Sequence, residues 1–271
     1  MNHFREYMMI ALKAALSAGE VILEVYRKPS YAKELKSDFT PVTEADRAAH
    51  SAIMEILRSS GFPVLSEEGN KIPYEERKDW ETFWLVDPLD GTKEFIRKNG
   101  EFTVNIALIH KQKAVLGILY APLPDLMYYS ETGSGAYRME EFSKKWPDIH
   151  SINECSNLSQ SLPLEVENKG YRVVASRSHI NLLTKRYIKK LRKSHGGLEL
   201  VSRGSALKFC LVAEGSADIY PRFGPTWEWD TGAGQAIAEA AGCSVSLHDR
   251  DEALSYNKEN LLNPFFIVAR D

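Results

Sequence analysis

Apolar positions near the start of the chain recur at helical spacing. Phe4, Tyr7, Met8, Leu12, Ala15, Leu16, Leu23 and Tyr26 form one stripe, which predicts an amphipathic helix over 4–27, ended by Pro29. A polar connection over 36–46 follows. Thr43 is placed to N-cap a second helix with Ala45, Ala49, Ala52, Ile53, Ile56 and Leu57 on one face, terminated by Gly61-Phe-Pro. Asp46 falls in the first turn of that helix, where an acid complements the helix dipole.

The pattern then shortens to strand-like runs. Val64-Leu65 leads straight into Ser66-Glu67-Glu68-Gly69, and Trp84-Leu-Val leads into Asp87-Pro-Leu-Asp-Gly-Thr92. Pro88 is expected to stop the second strand, because proline cannot donate to a ladder. Residues 102–110 with 114–121, then 126–130 with 135–139, read as an antiparallel meander. Over 144–169 polar residues and prolines dominate and periodicity is lost, which sets a candidate boundary: an α+β domain over 1–150 and an α/β domain over 151–271. Beyond it, 172–176 is a predicted strand, and Ile180, Leu183, Tyr187 and Leu191 mark a basic amphipathic helix. A helix over 204–214 and a strand over 217–220 follow, the strand ending in Pro221-Arg222. Trp227-Glu-Trp-Asp230 opens a small-residue helix over 231–241, with Asp230 as a plausible N-cap, and 265–269 is a last strand.

Composition narrows the classes. A chain of 271 residues can bury a large core. With 34 basic against 37 acidic residues it has no electrostatic footprint for duplex nucleic acid, while a small anionic substrate stays open. The first residues lack the apolar run of a signal peptide, and no window approaches a transmembrane span. Cys155, Cys210 and Cys243 are far apart and unpaired by motif, so neither a disulfide framework nor a zinc site is indicated, and a cytoplasmic location is expected. The basic helix around Lys185 to Lys193 leaves two readings open: a solvated face, or peripheral contact with the cytoplasmic face of the inner membrane.

The chemistry concentrates at the two strand ends. Asp87 and Asp90 flank a stiff proline, Gly91 lets the backbone approach whatever they hold, and the Leu89 carbonyl lies between them. That oxygen-only set suits a hard cation such as Mg²⁺. Taken alone, Asp-Pro and Asp-Gly are also ordinary turn chemistry. Glu67 strengthens the metal reading, since open α/β sheets assemble sites where several strand ends converge.

Together, Ser66-Glu67-Glu68, Asp87-Pro-Leu-Asp-Gly-Thr92 and Trp229-Asp230-Thr-Gly-Ala-Gly closely resemble the signature of the lithium-sensitive, magnesium-dependent phosphatases of the inositol monophosphatase superfamily. Lys93-Glu94-Phe95, Asn99-Gly-Glu-Phe-Thr-Val-Asn105, the stretch 207–215 and Tyr220-Pro-Arg-Phe-Gly-Pro225 look like its CysQ-type branch, the 3′(2′),5′-bisphosphate nucleotidases. The resemblance implies a layered αβαβα sandwich of the inositol monophosphatase and fructose-1,6-bisphosphatase type. It implies two or three Mg²⁺ ions on Glu67, Asp87, Asp90, Asp230 and the Leu89 carbonyl. Thr92 would orient the attacking water and Asp46 accept its proton, while Asp230 would also support a water that protonates the leaving oxygen. Gly91, Thr92, His179, Ser205, Lys208, Arg222 and Asp230 would line the substrate side, the helix predicted over 204–214 placing Ser205 and Lys208 one turn apart. The implied reaction converts adenosine 3′,5′-bisphosphate to AMP and phosphate, removing a by-product of sulfate assimilation, in a monomer or homodimer. An inositol or sugar phosphate monoesterase with the same metal site is one rival. A non-catalytic phosphonucleotide-binding protein is another. Trp227 and Glu228 depart from the small polar lead-in expected before Trp229-Asp230, which bears on base preference if they border the nucleotide.

Overall fold

A computed structural model of the chain describes residues 4–35, 41–165, 170–175 and 181–270. The first stripe forms helix α1 (Glu6–Arg27), with Ala11, Leu12, Ala15 and Ile22 fully buried. In its last turns the buried face runs through Ile22 and Val25, leaving Leu23 half-buried. A hairpin of β1 (Lys33–Leu35) and β2 (Pro41–Thr43), unmarked by any apolar pattern, leads into α2 (Glu44–Leu57). Thr43 is its cap, as predicted: Thr43 Oγ1 accepts from the Ala45 N–H at 3.2 Å, an interaction worth about 1 kcal/mol. A short 3₁₀ turn then ends at Gly61, whose φ of 75° only glycine adopts without strain.

The strands that follow are β3 (Val64–Ser66), β4 (Thr82–Asp90), β5 (Thr103–His110), β6 (Lys113–Ala121), β7 (Leu126–Glu131), β8 (Gly135–Glu140) and β9 (Gln160–Ser161). They form one seven-stranded sheet in chain order, antiparallel except for β3 on β4. Short helices interrupt the run: α3 (Tyr74–Arg77), α4 (Thr92–Ile96), α5 (Phe142–Lys145) and α6 (Ile152–Asn157). The central strands are apolar on both faces because both are covered. Trp84, Val86, Val104 and Ile106 pack under α1 and α2. Phe83, Leu85, Ala107 and Leu119 face the other way.

That second face meets helices from later in the chain. After Ser161 come β10 (Arg172–Ala175), α7 (Leu182–Ser194), β11 (Glu199–Ser202), α8 (Leu207–Ala213), β12 (Ile219–Arg222), α9 (Gly232–Ala240), β13 (Cys243–Leu247) and β14 (Phe266–Arg270). Their sheet has the order β11-β10-β12-β14-β13. Phe209, Val212 and Ile237 of α8 and α9 fill the space between the two sheets, against Leu85 on one side and Val245, Phe266 and Val268 on the other. The approach of α9 to β6 is close: a Cβ on Gly117 would lie 2.5 Å from the Ala233 carbonyl oxygen. Helix α7 covers the outer face through Ile188, against Val173, Ala175 and Ile219. The layers are therefore αβαβα, as the resemblance implied. On α7 the buried positions are Thr184 and Ile188, whereas Leu183 is exposed and Ile180 lies outside the described residues.

Two sequence expectations need correction. Pro88 does not stop β4, which continues to Asp90 across a bulge: Asp87 pairs with Asn105 and Asp90 with Thr103, so β4 carries one extra residue there. A bulge is where a sheet tolerates a residue with no N–H. The helix predicted from Gly204 begins only at Leu207, so Ser205 is not on it.

Candidate functional site

The site starts at the bulge. At the last ladder pair before the bulge, the Asp87 carboxylate accepts from the Leu89 N–H at 3.1 Å, and Asp90 receives the Asn105 amide at 3.5 Å. Gly91 follows with a φ of 95°; a Cβ there would come within 3.0 Å of the Glu101 carbonyl oxygen, so the tight exit from β4 requires glycine. Thr92 then opens α4. Its hydroxyl donates to Asp46 Oδ1 at 3.0 Å and lies 3.4 Å from the Leu89 carbonyl oxygen. The other oxygen of Asp46 accepts from the backbone and hydroxyl of Thr43, at 2.8 and 2.6 Å. Asp46 is thus both the acid of a capping box and a partner of Thr92, and only the first role is local to its helix.

Two further carboxylates arrive from other elements. Glu67 follows β3, with its N–H on the Val86 carbonyl at 3.1 Å, so pairing of β3 with β4 sets it beside Asp87. Asp230 closes a 3₁₀ turn (Glu228–Asp230) ahead of α9. It does not cap α9; its carboxylate accepts the Trp227 N–H at 2.8 Å. Carboxylate oxygens of Glu67, Asp87 and Asp230 all lie within 4.8 Å of one another. At that separation two full charges repel by roughly 3 kcal/mol at an effective dielectric near 20. Burial first, and then the charges of Glu67, Asp90 and Asp230, push Asp87 well above the ordinary carboxylate range. Burial, then Asp90 and Glu67, does the same to Asp230. Asp90 is raised by burial as well, opposed by the Lys208 ammonium. Such a cluster calls for a cation, and its all-oxygen donors suit a hard divalent one.

Across from the acids stands a cationic wall. A cavity of about 130 Å³ is lined by Asp90, Gly91, Ser205, Lys208, Arg222 and Asp230, so one space gathers six of the predicted residues. Lys208, in the first turn of α8, is buried and donates to the Ser205 carbonyl oxygen. Burial drives its ammonium down to about 8, with Asp90 pulling the other way. Ser205 sits before the helix with a φ of 45°, a strained conformation for a non-glycine residue. Arg222, at the end of β12, donates to the Pro225 carbonyl oxygen at 2.8 Å, and its Nε is buried without a partner among the described residues. His179 lies outside the described residues.

Sequence reasoning missed part of this wall. Glu101 accepts from the Gly204 N–H at 2.9 Å and lies 3.4 Å from the Arg203 guanidinium, tying the loop after α4 to the loop before α8. No local pattern announces a pairing across that much chain. Glu228 is fully buried with its carboxylate on Asn257 and Lys258, and it does not line the cavity. Trp227 is 41% exposed and stacks on Trp229 at 5.6 Å, beside a separate cavity of about 580 Å³ on the Glu67 side.

Comparison with known proteins identifies the family and the fold. The model of the inositol monophosphatase family matches residues 4–265. A protein of Salmonella typhimurium named 3′(2′),5′-bisphosphate nucleotidase CysQ is 47% identical over 262 residues, 94% of this chain and 96% of that one. The crystal structure of CysQ from Bacteroides thetaiotaomicron, described as a bacterial member of the inositol monophosphatase family, superposes with a TM-score of 0.92 at 49% identity, covering 99% and 98% of the two chains. The extragenic suppressor protein suhB of Bartonella henselae shares the fold at 24% identity, with a TM-score of 0.74 over 98% of this chain and 94% of that one.

Proposed function

Because the chain belongs to the inositol monophosphatase family, we propose that it is a 3′(2′),5′-bisphosphate nucleotidase, a phosphatase that removes the 3′-phosphate of adenosine 3′,5′-bisphosphate to give AMP and phosphate. The observation that carries the substrate is the opposition within one cavity of Asp90 and Asp230 to Lys208 and Arg222. A monophosphate needs only the acidic end. A molecule with two phosphates uses both.

Glu67, Asp87, Asp90, Asp230 and the Leu89 carbonyl are the groups that would hold two or three Mg²⁺ ions. Bound there, the metal supplies the charge that neutralises the phosphate dianion and acidifies the attacking water. The protein's own part is placement and proton transfer. With its hydrogen committed to Asp46, the Thr92 hydroxyl offers its lone pairs to a water and fixes it beside the acids. The proton leaves through Thr92 to Asp46 Oδ1, a carboxyl that burial raises above its ordinary value and so makes a better base. On the far wall Lys208, Arg222 and Ser205 would take the 5′-phosphate and the nucleoside, holding the 3′-ester in line, with His179, outside the described residues, a further candidate by resemblance. Asp230, at the junction of the two ends, would support a water that protonates the leaving oxygen. The reaction would recycle a by-product of sulfate assimilation, and lithium would inhibit it by competing at the acidic cluster. Among the described residues no helix is long and apolar enough to cross a membrane. Three buried cysteines, none of them in a disulfide, fit a reducing compartment, and we place the reaction in the cytoplasm.

Phosphate release from adenosine 3′,5′-bisphosphate, inositol 1-phosphate and fructose 1,6-bisphosphate, each with Mg²⁺ and with EDTA, tests the reading. Strong Mg²⁺-dependent preference for the nucleotide is expected. Preference for inositol 1-phosphate would remove Lys208 and Arg222 from the substrate site, and no hydrolysis at all would favour a phosphonucleotide-binding protein.

A further inference from the structure

Glu228 has no place in this chemistry, yet it is a fully buried carboxylate two residues from Asp230. A buried charge is tolerated only when its lone pairs are met. Here three donors meet them: the Asn257 N–H at 2.6 Å, the Lys258 N–H at 3.0 Å and the Lys258 ammonium at 2.5 Å. All three belong to one irregular segment, 256–263, which grips the Asp230 turn elsewhere too. Leu261 accepts the Glu228 N–H at 3.0 Å, and Asn263 gives its N–H to the Thr226 carbonyl at 2.8 Å. The Asn263 side-chain amide donates to the Trp227 carbonyl at 2.7 Å and to Thr231 Oγ1 at 3.0 Å. The turn bearing Asp230 is therefore held on both sides by a strap.

The strap's other edge reaches the loop of Glu67. Arg77, in α3 beyond that loop, is buried and donates to Asn257 Oδ1 at 2.8 Å and to the Glu259 carbonyl at 3.0 Å. Asn257 returns an amide hydrogen to the Arg77 carbonyl at 2.7 Å. One segment thus connects the two loops whose carboxylates, from distant parts of the chain, must meet within 4.8 Å. A three-residue turn has few backbone bonds of its own to fix it. Bonds from N–H and ammonium donors to a charged carboxylate are the strong kind that can do so.

We propose that Glu228 is a positioning residue for the metal centre: as hub of the 256–263 strap it fixes the Asp230 turn against the Glu67 loop, setting the affinity for a divalent cation without being a ligand. This rests on the metal reading of the acidic cluster.

Isothermal calorimetry of Mg²⁺ binding to the substrate-free protein tests it, with melting in EDTA as the control for folding. Glu228→Gln is expected to weaken Mg²⁺ binding roughly tenfold or more, the usual cost of disturbing a group behind the ligands. Lys258→Met, which keeps both backbone donors, should weaken it less, and Lys258→Arg should restore it. A purely structural role would lower the EDTA melting temperature and leave the Mg²⁺ dissociation constant of the folded variants unchanged, which overturns the proposal. Should Glu228→Gln fail to fold, the Lys258 pair decides, equal affinities for Met and Arg overturning it. If the unaltered protein binds no Mg²⁺, the metal reading falls and this proposal falls with it.

Discussion

The acidic and cationic ends of the cavity are built in opposite ways. At the acidic end Asp87, Leu89, Asp90, Gly91 and Thr92 are neighbours in the chain, set in place by one bulge on a strand buried on both faces. At the cationic end Lys208 comes from a helix, Ser205 from the loop before it and Arg222 from a strand end. The first grows from a run of covalent neighbours, to which Glu67 and Asp230 are added from other elements, whereas the second is tertiary assembly throughout. Both leave charge waiting, since the acids repel one another and Arg222 keeps an Nε without a partner among the described residues. Damage at the acidic end should stop the chemistry, whereas damage at the cationic end should grade affinity and selectivity.

The sharpest test of that contrast is Asp90→Asn, expected to lower phosphate release by about 10³-fold or more, because charge stabilisation at the reacting phosphate is the largest catalytic term. Activity within tenfold of the unaltered protein would mean the acidic end is misassigned. Lys208→Met should act in the other manner, costing roughly 10- to 100-fold in kcat/KM for adenosine 3′,5′-bisphosphate, the worth of one charged hydrogen bond, and far less for inositol 1-phosphate. Equal losses on both substrates would erase the distinction between the ends.

A smaller effect separates them without substrate. In the metal-free protein Asp87 and Asp230 have folded pKa values raised above the ordinary 3.8, so between those values the folded state holds more protons than the unfolded one. Their contribution to stability is then lost as pH rises through that window. Melting temperature in EDTA should fall as pH rises above the ordinary carboxylate range, and saturating Mg²⁺ should flatten the trend. Asp87→Asn at pH 8 in EDTA should melt higher by roughly 5 to 10 °C, as relief of one or two such repulsions implies. A metal-free protein that gains stability toward pH 8 would show that the carboxylates do not crowd as described.

The same contrast explains what the sequence disclosed. Glu67, Asp87 and Asp90 were legible because they lie at or just past the ends of short buried strands, where short motifs carry the geometry, while Asp230, whose turn does not cap α9, was found through resemblance. Pro88 misled, since a rule about regular ladders says nothing of a bulge. Ser205 misled because the apolar spacing of α8 extends back past the true helix start. Gly204 is held out of the helix by Glu101 and Glu94, a Cβ there coming within 2.8 Å of each, and no local pattern encodes that approach. Lys208 and Arg222 were found through resemblance alone. Isolated basic residues carry no signal until the fold turns them toward one cavity. The hairpin β1–β2 and strand β13 were missed because three to five residues of mixed polarity leave no period to read.

The strap over Asp230 also bears on how the protein is made. Synthesis runs from the amino end, so the seven-stranded sheet can be complete by Ser161, with Glu67, Asp87 and Asp90 in place while Asp230 is still unmade. The fourth carboxylate follows, and it is clamped only when Asn263 reaches the Thr226 carbonyl. On the proposed metal assignment a nascent chain would carry a partial chelate for much of its translation, and firm capture of a divalent ion would mark the moment the carboxyl-terminal layers have closed over the sheet.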